Sequence, residues 1–325
     1  MFKRILVPLD GSPRAERALA VAARLARAAD GTVVLLQAVG IPPEYSAYLY
    51  GPYLAQPYIL GEEVLGAKED EAKTYIETVR TSNKLAGVKV EVKVVVGAAA
   101  LTIQDIAREE NIDLIAMCSH GDTGFKRWVL GSVAQSVSRS CQVPVLVLRE
   151  DGTTPDSSFP DPLRPLRSIV ALVALDGSQF AETTILPTAT LVSALAAPAW
   201  GTLLLTRVVS LAAQGHTHTT KEMALGEAKT HLRQVEQKYM DEAAKLKVSL
   251  KTAVATGKDV ADTLIRSAER GEDIEGKRLT GGCDLIAITT HARGGLQRLA
   301  LGSVTEHILG ATKLPLLVLH SCANQ

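Results

Sequence analysis

The octapeptide Ile5-Leu6-Val7-Pro8-Leu9-Asp10-Gly11-Ser12 returns, with its last four residues intact, as Ala171-Leu172-Val173-Ala174-Leu175-Asp176-Gly177-Ser178. A short apolar run that ends in Asp-Gly-Ser reads as a buried strand feeding a tight turn. Three more landmarks follow each copy in the same order. Ser119-His120-Gly121 is matched by Thr290-His291-Ala292, Leu130-Gly131-Ser132-Val133 by Leu301-Gly302-Ser303-Val304, and Val143-Pro144-Val145-Leu146-Val147-Leu148 by Leu314-Pro315-Leu316-Leu317-Val318-Leu319. The chain of 325 residues is therefore two copies of one domain, in keeping with the prior of roughly 150 residues per domain.

Between these landmarks, Val-, Ile- and Leu-rich runs alternate with longer alanine-rich segments of helical period, the pattern of a parallel sheet covered by helices. In the first copy the expected strands are Arg4 to Leu9, Thr32 to Val39, Lys89 to Val96, Leu114 to Cys118 and Val145 to Leu148. The helices between them are Pro13 to Ala29, Glu62 to Ala86, Thr102 to Glu110 and Ser132 to Ser140. The second copy offers strands at Ser168 to Leu175, Thr202 to Val209, Ser249 to Thr256, Leu285 to Thr289 and Leu316 to Leu319, with Pro187 expected to kink its first helix or shift that helix's start. The expected fold is α/β: two tandem doubly wound domains, each an open five-stranded parallel sheet of order 3-2-1-4-5 with helices on both faces. The domains are placed at 1–150 and 167–322, joined by a Pro-, Asp- and Ser-rich linker at 151–166. Their last strands, Val145 to Leu148 and Leu316 to Leu319, are expected to pair and make an intramolecular pseudo-dimer, with homodimerisation beyond it.

The spacing of the copies varies along the chain. Asp10 and Asp176 lie 166 apart, Gly97 and Gly257 lie 160 apart, and Gly131 and Gly302 lie 171 apart. The second copy thus loses six residues before its third strand and gains eleven before its fourth. The loss is assigned to the stretch from Gly40 to Gly66, which holds five of the seven tyrosines, Tyr45, Tyr48, Tyr50, Tyr53 and Tyr58. A loop of that length is a packed cover on a sheet edge, a lid or an interface. The gain falls in Arg270 to Gly282, a polar segment with no chemistry of its own.

Composition narrows the function. Lysine and arginine total 35 and so do the carboxylates, so net charge is zero and neither nucleic acid nor an acidic membrane is an expected partner. Cys118, Cys141, Cys283 and Cys322 show no CxxC spacing, which argues against a zinc site or a disulfide framework and suits a reducing cytoplasm. Met1 to Ile5 passes directly into a strand-like run with neither a long apolar core nor a small-residue cleavage site, so an export signal is not expected. Leu191 to Val209 is apolar enough to suggest a membrane span, but Pro198, Gly201 and Arg207 interrupt it, and a helix end, a turn and a buried strand are expected there instead.

Two places in each copy can carry chemistry. Asp10 and Asp176 stand beyond the carboxyl end of a first strand, where open parallel sheets bind ligands; the same Asp-Gly-Ser also suits a simple turn with a helix cap. After the fourth strand, Gly121, Gly124 and Gly131-Ser132 lead into a helix whose N-terminus favours an anion such as phosphate. This is neither a Walker loop nor a dinucleotide GxGxxG. His120 and His291, and Arg127 and Arg298, recur at matching positions and are compatible with phosphate contacts, with packing or with surface ion pairs. His216 and His218 lack a nearby third ligand in sequence, so no metal site is expected.

Taken together, the ILVPLDGS opening, the Gly97 turn, the Asp113 to Gly121 segment, the LGSV and the closing VPVLVL resemble the universal stress protein family, in tandem form. The family's nucleotide signature is Gly, two residues, Gly, nine residues, then Gly-Ser or Gly-Thr. Its glycines fall on Cys118, Gly121 and Gly131 in the first copy, which keeps two, and on Thr289, Ala292 and Gly302 in the second, which keeps one. The resemblance implies a first-domain site for ATP or AMP, with Mg as an accompanying ion. In it, Asp10 meets the adenosine with Val39 and Met117 beside it, Gly121, Gly131, Ser132 and Val133 hold the phosphates, and Pro8, Leu9, Cys118 and His120 complete the nucleotide-binding set. It implies a degraded counterpart at Asp176, Val208, Thr289, Ala292, Gly302, Ser303 and Val304. The function expected is a cytoplasmic stress-response protein that binds adenine nucleotide and acts as a regulatory or partner-binding module, with no catalytic residues assigned. The alternatives are a nucleotide-free interaction module of the same fold and a slow ATPase.

Overall fold

The structure, a computed structural model, describes residues 2–40, 57–119, 130–149, 168–210, 218–271, 282–290 and 301–320. Outside these residues lie the linker, most of the tyrosine-rich and 270–282 segments, and His120, Gly121, Gly124, Arg127, His216, His291, Ala292, Arg298 and Cys322. The first half runs β1 (Arg4–Leu9), α1 (Arg17–Ala29), β2 (Thr32–Val39), α2 (Pro57–Arg80), β3 (Lys89–Val96), α3 (Ala99–Glu109), β4 (Leu114–Cys118), α4 (Ser132–Ser140) and β5 (Val145–Leu148). The second runs β6 (Val170–Leu175), α5 (Gln179–Glu182), α6 (Ile185–Ala196), β7 (Gly201–Ser210), α7 (His218–Lys245), β8 (Val248–Gly257), α8 (Val260–Arg270), β9 (Leu285–Thr290), α9 (Ser303–Ala311) and β10 (Leu316–His320).

The ten strands of the described residues form one sheet in the order β3-β2-β1-β4-β5-β10-β9-β6-β7-β8, so each half has the expected 3-2-1-4-5 order and is parallel within itself. The strands on either side of each crossover are buried on both faces, which is why they read as unbroken apolar runs; β3, at an edge, alternates Lys89, Glu91 and Lys93 with valines. One face is covered by α1, α2, α6 and α7, the other by α3, α4, α8 and α9. The halves meet where β5 and β10 run antiparallel, with Leu146 opposite Leu317 and Val145 opposite Val318. Helix α1 packs on α6, and Arg24 donates to the Ala197 carbonyl at 3.2 Å. On the opposite face Arg139 pairs with Glu306, and the Arg149 guanidinium donates to the Leu309 carbonyl.

The first-half strands and α4 begin and end where the sequence placed them, but the other helices shift. Residues 13–16 form turns, and α1 starts at Arg17. Helix α2 occupies Pro57–Arg80 and is followed by a separate 3-10 turn at Asn83–Leu85, rather than running from Glu62 to Ala86. The first helix of the second half is broken into α5 and α6. Pro187 falls in the first turn of α6, where a missing N–H is tolerated because those donors have no helical partner. Strand register also corrects the length comparison. Arg4 pairs with Thr32 and Val170 with Thr202, while Thr32 pairs with Lys89 and Thr202 with Ser249. The second half therefore gains four residues between its first two strands, around the broken helix, and loses ten before the third; the sequence comparison sees only the net six. Leu191 to Val209 is the end of α6, a turn and β7, and no helix among the described residues is long and apolar enough to cross a membrane.

Candidate functional site

Each half presents the same turn at the carboxyl end of its first strand. Asp10 Oδ1 accepts from the Ser12 amide at 3.0 Å and from the Ser12 hydroxyl at 2.6 Å, and Ser12 Oγ accepts from the Ala15 amide at 3.2 Å. Asp176 Oδ1 accepts from the Ser178 amide at 2.9 Å and its hydroxyl at 2.6 Å, while Ser178 Oγ caps α5 through the Ala181 amide at 3.1 Å. The carboxylate thus orders the turn while standing at the strand end, so the capping and ligand readings of Asp-Gly-Ser are compatible. Gly11 and Gly177 hold φ of +87° and +94°, a region that side chains disfavour.

Facing this turn is the start of the last helix. Gly131 is the N-cap residue of α4 and Gly302 that of α9, and neither helix is capped by a side chain. The first-turn amides therefore point their partial positive charge toward the space that the turn borders. The Gly302 backbone is ordinary extended structure, and a Cβ built there meets nothing within 4 Å, so the glycine leaves open space that a side chain would occupy.

The two elements enclose a cleft in each half. The first, about 170 Å³, is lined by Pro8, Leu9, Asp10, Met117, Cys118, Gly131, Ser132 and Val133 as expected, together with Ala38, Ala99, Ile103 and Ser119. Val39 does not line it. Strand side chains alternate, and Leu36 and Ala38 are the β2 residues on the cleft's face; Ala38 also matches Val208 in register, since Gln37 lies beside Leu9 as Arg207 lies beside Leu175. The second cleft is larger, about 600 Å³, and gathers Asp176, Val208, Thr289, Gly302, Ser303 and Val304 as expected. Its remaining wall includes Arg207, Val260, Leu264 and Ile288. The volumes thus run opposite to the glycine count. His120, Gly121 and Ala292 lie outside the described residues.

Arg207, which the sequence marks only as a break in the apolar stretch Leu191 to Val209, is a wall residue of the second cleft. A charge inside the buried run Leu203-Leu204-Leu205-Thr206-Arg207-Val208 was the available signal, because a buried strand carries a cation only with a reason. Cys118 and Thr289, which replace glycines of the family pattern, both reach their clefts; the Cys118 thiol also points at the Ala15 carbonyl at 4.0 Å. Cys118, Cys141 and Cys283 are free thiols. Burial, with a smaller contribution from the neighbouring Asp284 carboxylate, pushes the Cys283 thiol up to about 12. Among the described residues one group brings three possible metal donors together, Asp259, Asp262 and His307, with their donor atoms within 4.8 Å of one another. The start of α8 accounts for it: Asp259 caps that helix through the Asp262 amide at 2.8 Å, and His307 Nε2 lies 3.2 Å from Asp262.

The family model described as the universal stress protein family matches residues 1–149 and again 170–320. The universal stress protein MJ0531 of Methanocaldococcus jannaschii is 29% identical over 150 residues, 46% of this chain and 84% of that protein. The universal stress protein Rv2005c of Mycobacterium tuberculosis is 25% identical over 264 residues, 77% of each chain, so the likeness runs through both halves. Among solved structures, that of a universal stress protein from Archaeoglobus fulgidus superposes with a TM-score of 0.65 over 98% of this chain and 99% of that one, at 19% identity, which shows the shared fold.

Proposed function

The chain belongs to the universal stress protein family as a tandem two-domain member, and from that premise we propose that its clefts bind adenine nucleotide, ATP or AMP. The observation that carries this reading is the pairing, in both halves, of a strand-end Asp-Gly-Ser turn with an uncapped Gly-Ser helix start across a cleft. The turn is suited to the nucleoside and the helix start to phosphate, the charge arrangement by which helix N-termini hold anions. Pro8, Leu9, Asp10, Ala38 and Met117 form the nucleoside wall of the first site, and Gly131, Ser132 and Val133 its phosphate end, to which the signature adds Gly121 and the recurrence of histidine at 120 and 291 adds His120. Asp176, Val208 and Ile288 serve the second site in the same way, with Thr289, Gly302, Ser303 and Val304 at the phosphate end. Mg accompanies the phosphates of ATP.

The protein acts as a cytoplasmic stress-response module, through nucleotide-dependent conformation or partner binding, without strong catalysis. The two halves, joined by β5 and β10, work as an intramolecular pseudo-dimer that can pair again as a homodimer. A nucleotide-free interaction module is the second reading, favoured by the side chains at Cys118, Thr289 and Ala292.

Mass spectrometry of freshly purified, denatured protein tests the choice. Co-purified adenine nucleotide that diminishes in Gly131→Ala, in Gly302→Ala and most in the double variant supports the first reading. A protein that carries none, and whose melting temperature is unmoved by millimolar ATP, sinks it.

A further inference from the structure

Arg207 follows the buried residues Leu203 to Thr206 of β7 and pairs with Leu175, next to the Asp176 turn. The guanidinium lies over Gly177: a Cβ on that glycine would come within 3.0 Å of Cζ and 3.0 and 3.1 Å of the two terminal nitrogens. It is half-buried, forms part of the wall of the larger cleft, and among the described residues makes no hydrogen bond or ion pair. A guanidinium directs five donors in a fixed fork that matches phosphate or carboxylate, and holding one half out of water without a partner costs free energy that an anionic ligand would recover. Among the described residues, the first half places no arginine in the wall of its cleft. There the register position is Gln37, whose Oε1 is buried without a partner, and the cleft is about 170 Å³ instead of about 600 Å³.

The second cleft is therefore lined by two anion-binding features, the uncapped start of α9 at Gly302-Ser303 and Arg207, whose guanidinium lies over Gly177 beside Asp176. In nucleotide-binding sheets a carboxylate reads a free ribose hydroxyl, or an arginine nearby accommodates a phosphate at that position; with both side chains present, Asp176 suits the free hydroxyl and Arg207 the phosphate on the neighbouring one. We infer that the second cleft is selective for adenine nucleotides phosphorylated on the ribose as well as at the 5′ position. In this assignment the 5′-phosphate meets the helix start and the 2′- or 3′-phosphate meets Arg207. The inference rests on the nucleotide reading proposed above and adds the ligand class that separates the second site from the first.

Titration calorimetry on the full chain tests it with three probes: AMP, adenosine 2′,5′-bisphosphate and adenosine 3′,5′-bisphosphate. At least one bisphosphate should bind about tenfold more tightly than AMP, the size of one charge-assisted contact. Arg207→Gln, which installs the first half's residue, should collapse that preference ratio toward one, and Gly302→Ala should remove the tight bisphosphate phase. Arg207→Lys keeps the charge without the fork and should retain part of the preference, which guards against reading a folding defect as lost selectivity. AMP bound with no preference for either bisphosphate, or a preference that survives Arg207→Gln, overturns this inference alone. Absence of binding by every nucleotide, ATP included, overturns the nucleotide reading and this inference together.

Discussion

Gly11 and Gly177 occupy the same turn, yet their surroundings set different costs for a side chain. Both have positive φ, and forcing an alanine into that region costs about 1 kcal/mol or more. At Gly11 an added Cβ meets nothing within 4 Å, whereas at Gly177 it meets the Arg207 guanidinium at 3.0 Å. Gly11→Ala should therefore lower stability by the backbone term alone, while Gly177→Ala should also displace Arg207 and so lose bisphosphate preference; chemical denaturation beside titration separates the two. Gly302→Ala is the complementary case: its backbone already suits alanine and its Cβ would stand in open space. The melting temperature of the ligand-free protein should not change, and ATP affinity should fall by about tenfold or more. At Cys283 the thiol is held protonated in the fold, up to about 12 against an ordinary 9.0. The unfolded chain loses that proton first, so this residue contributes stability that is complete below pH 9 and declines as pH rises from 9 toward 12. Cys283→Ala should flatten that part of the stability profile, as measured by urea midpoints across the range.

The α3 and α8 helices show how the copies diverge at the level of an element. Ala98 precedes α3 and cannot cap it, whereas Asp259 caps α8 through the Asp262 amide. Asp259→Ala should cost about 1 kcal/mol in equilibrium unfolding, and Ala98→Asp should gain a similar amount if its carboxylate reaches the corresponding amide. Strands were easier to read than helices for a physical reason. An apolar run bounded by Asp, Gly or Pro has sharp ends, so Thr32–Val39 and Lys89–Val96 were placed correctly. A helix start can be imitated by turns: Ser12 Oγ accepts from the Ala15 amide in the manner of a cap, yet regular helix begins only at Arg17. Side-chain parity at a strand end was harder still. Whether Ala38 or Val39 faces the cleft follows from which face of the sheet the cleft opens on, and no count along one strand supplies that.

At the scale of the molecule, one apolar cluster runs through both halves. It contains Leu146 and Leu148 of β5, Leu317 and Leu319 of β10, and the buried faces of α1 and α6. The halves therefore share a core, and calorimetry should show a single cooperative transition; two resolved transitions would show that each half melts alone. Leu317→Ala empties a site that is 0% exposed and lies opposite Leu146, and should lower stability by about 2–5 kcal/mol for the chain as a whole. The Arg139 and Glu306 pair is partly exposed, so Arg139→Ala should change little by comparison.

The duplication, the α/β class, the strand order and the positions of Asp10, Asp176, Gly131-Ser132 and Gly302-Ser303 were set by patterns local to the chain. Apolar periodicity and turn residues act over a few neighbours, and the repeat gives each pattern an internal check. The exchange of Val39 for Ala38, the four-and-ten shift in spacing, the larger volume of the second cleft and the meeting of Arg207 with Gly177 were decided only by tertiary structure. Each depends on residues distant in sequence being brought together by strand register and helix packing. Residue types along the chain thus indicated where two clefts would form, and the packed sheet determined what faces into each.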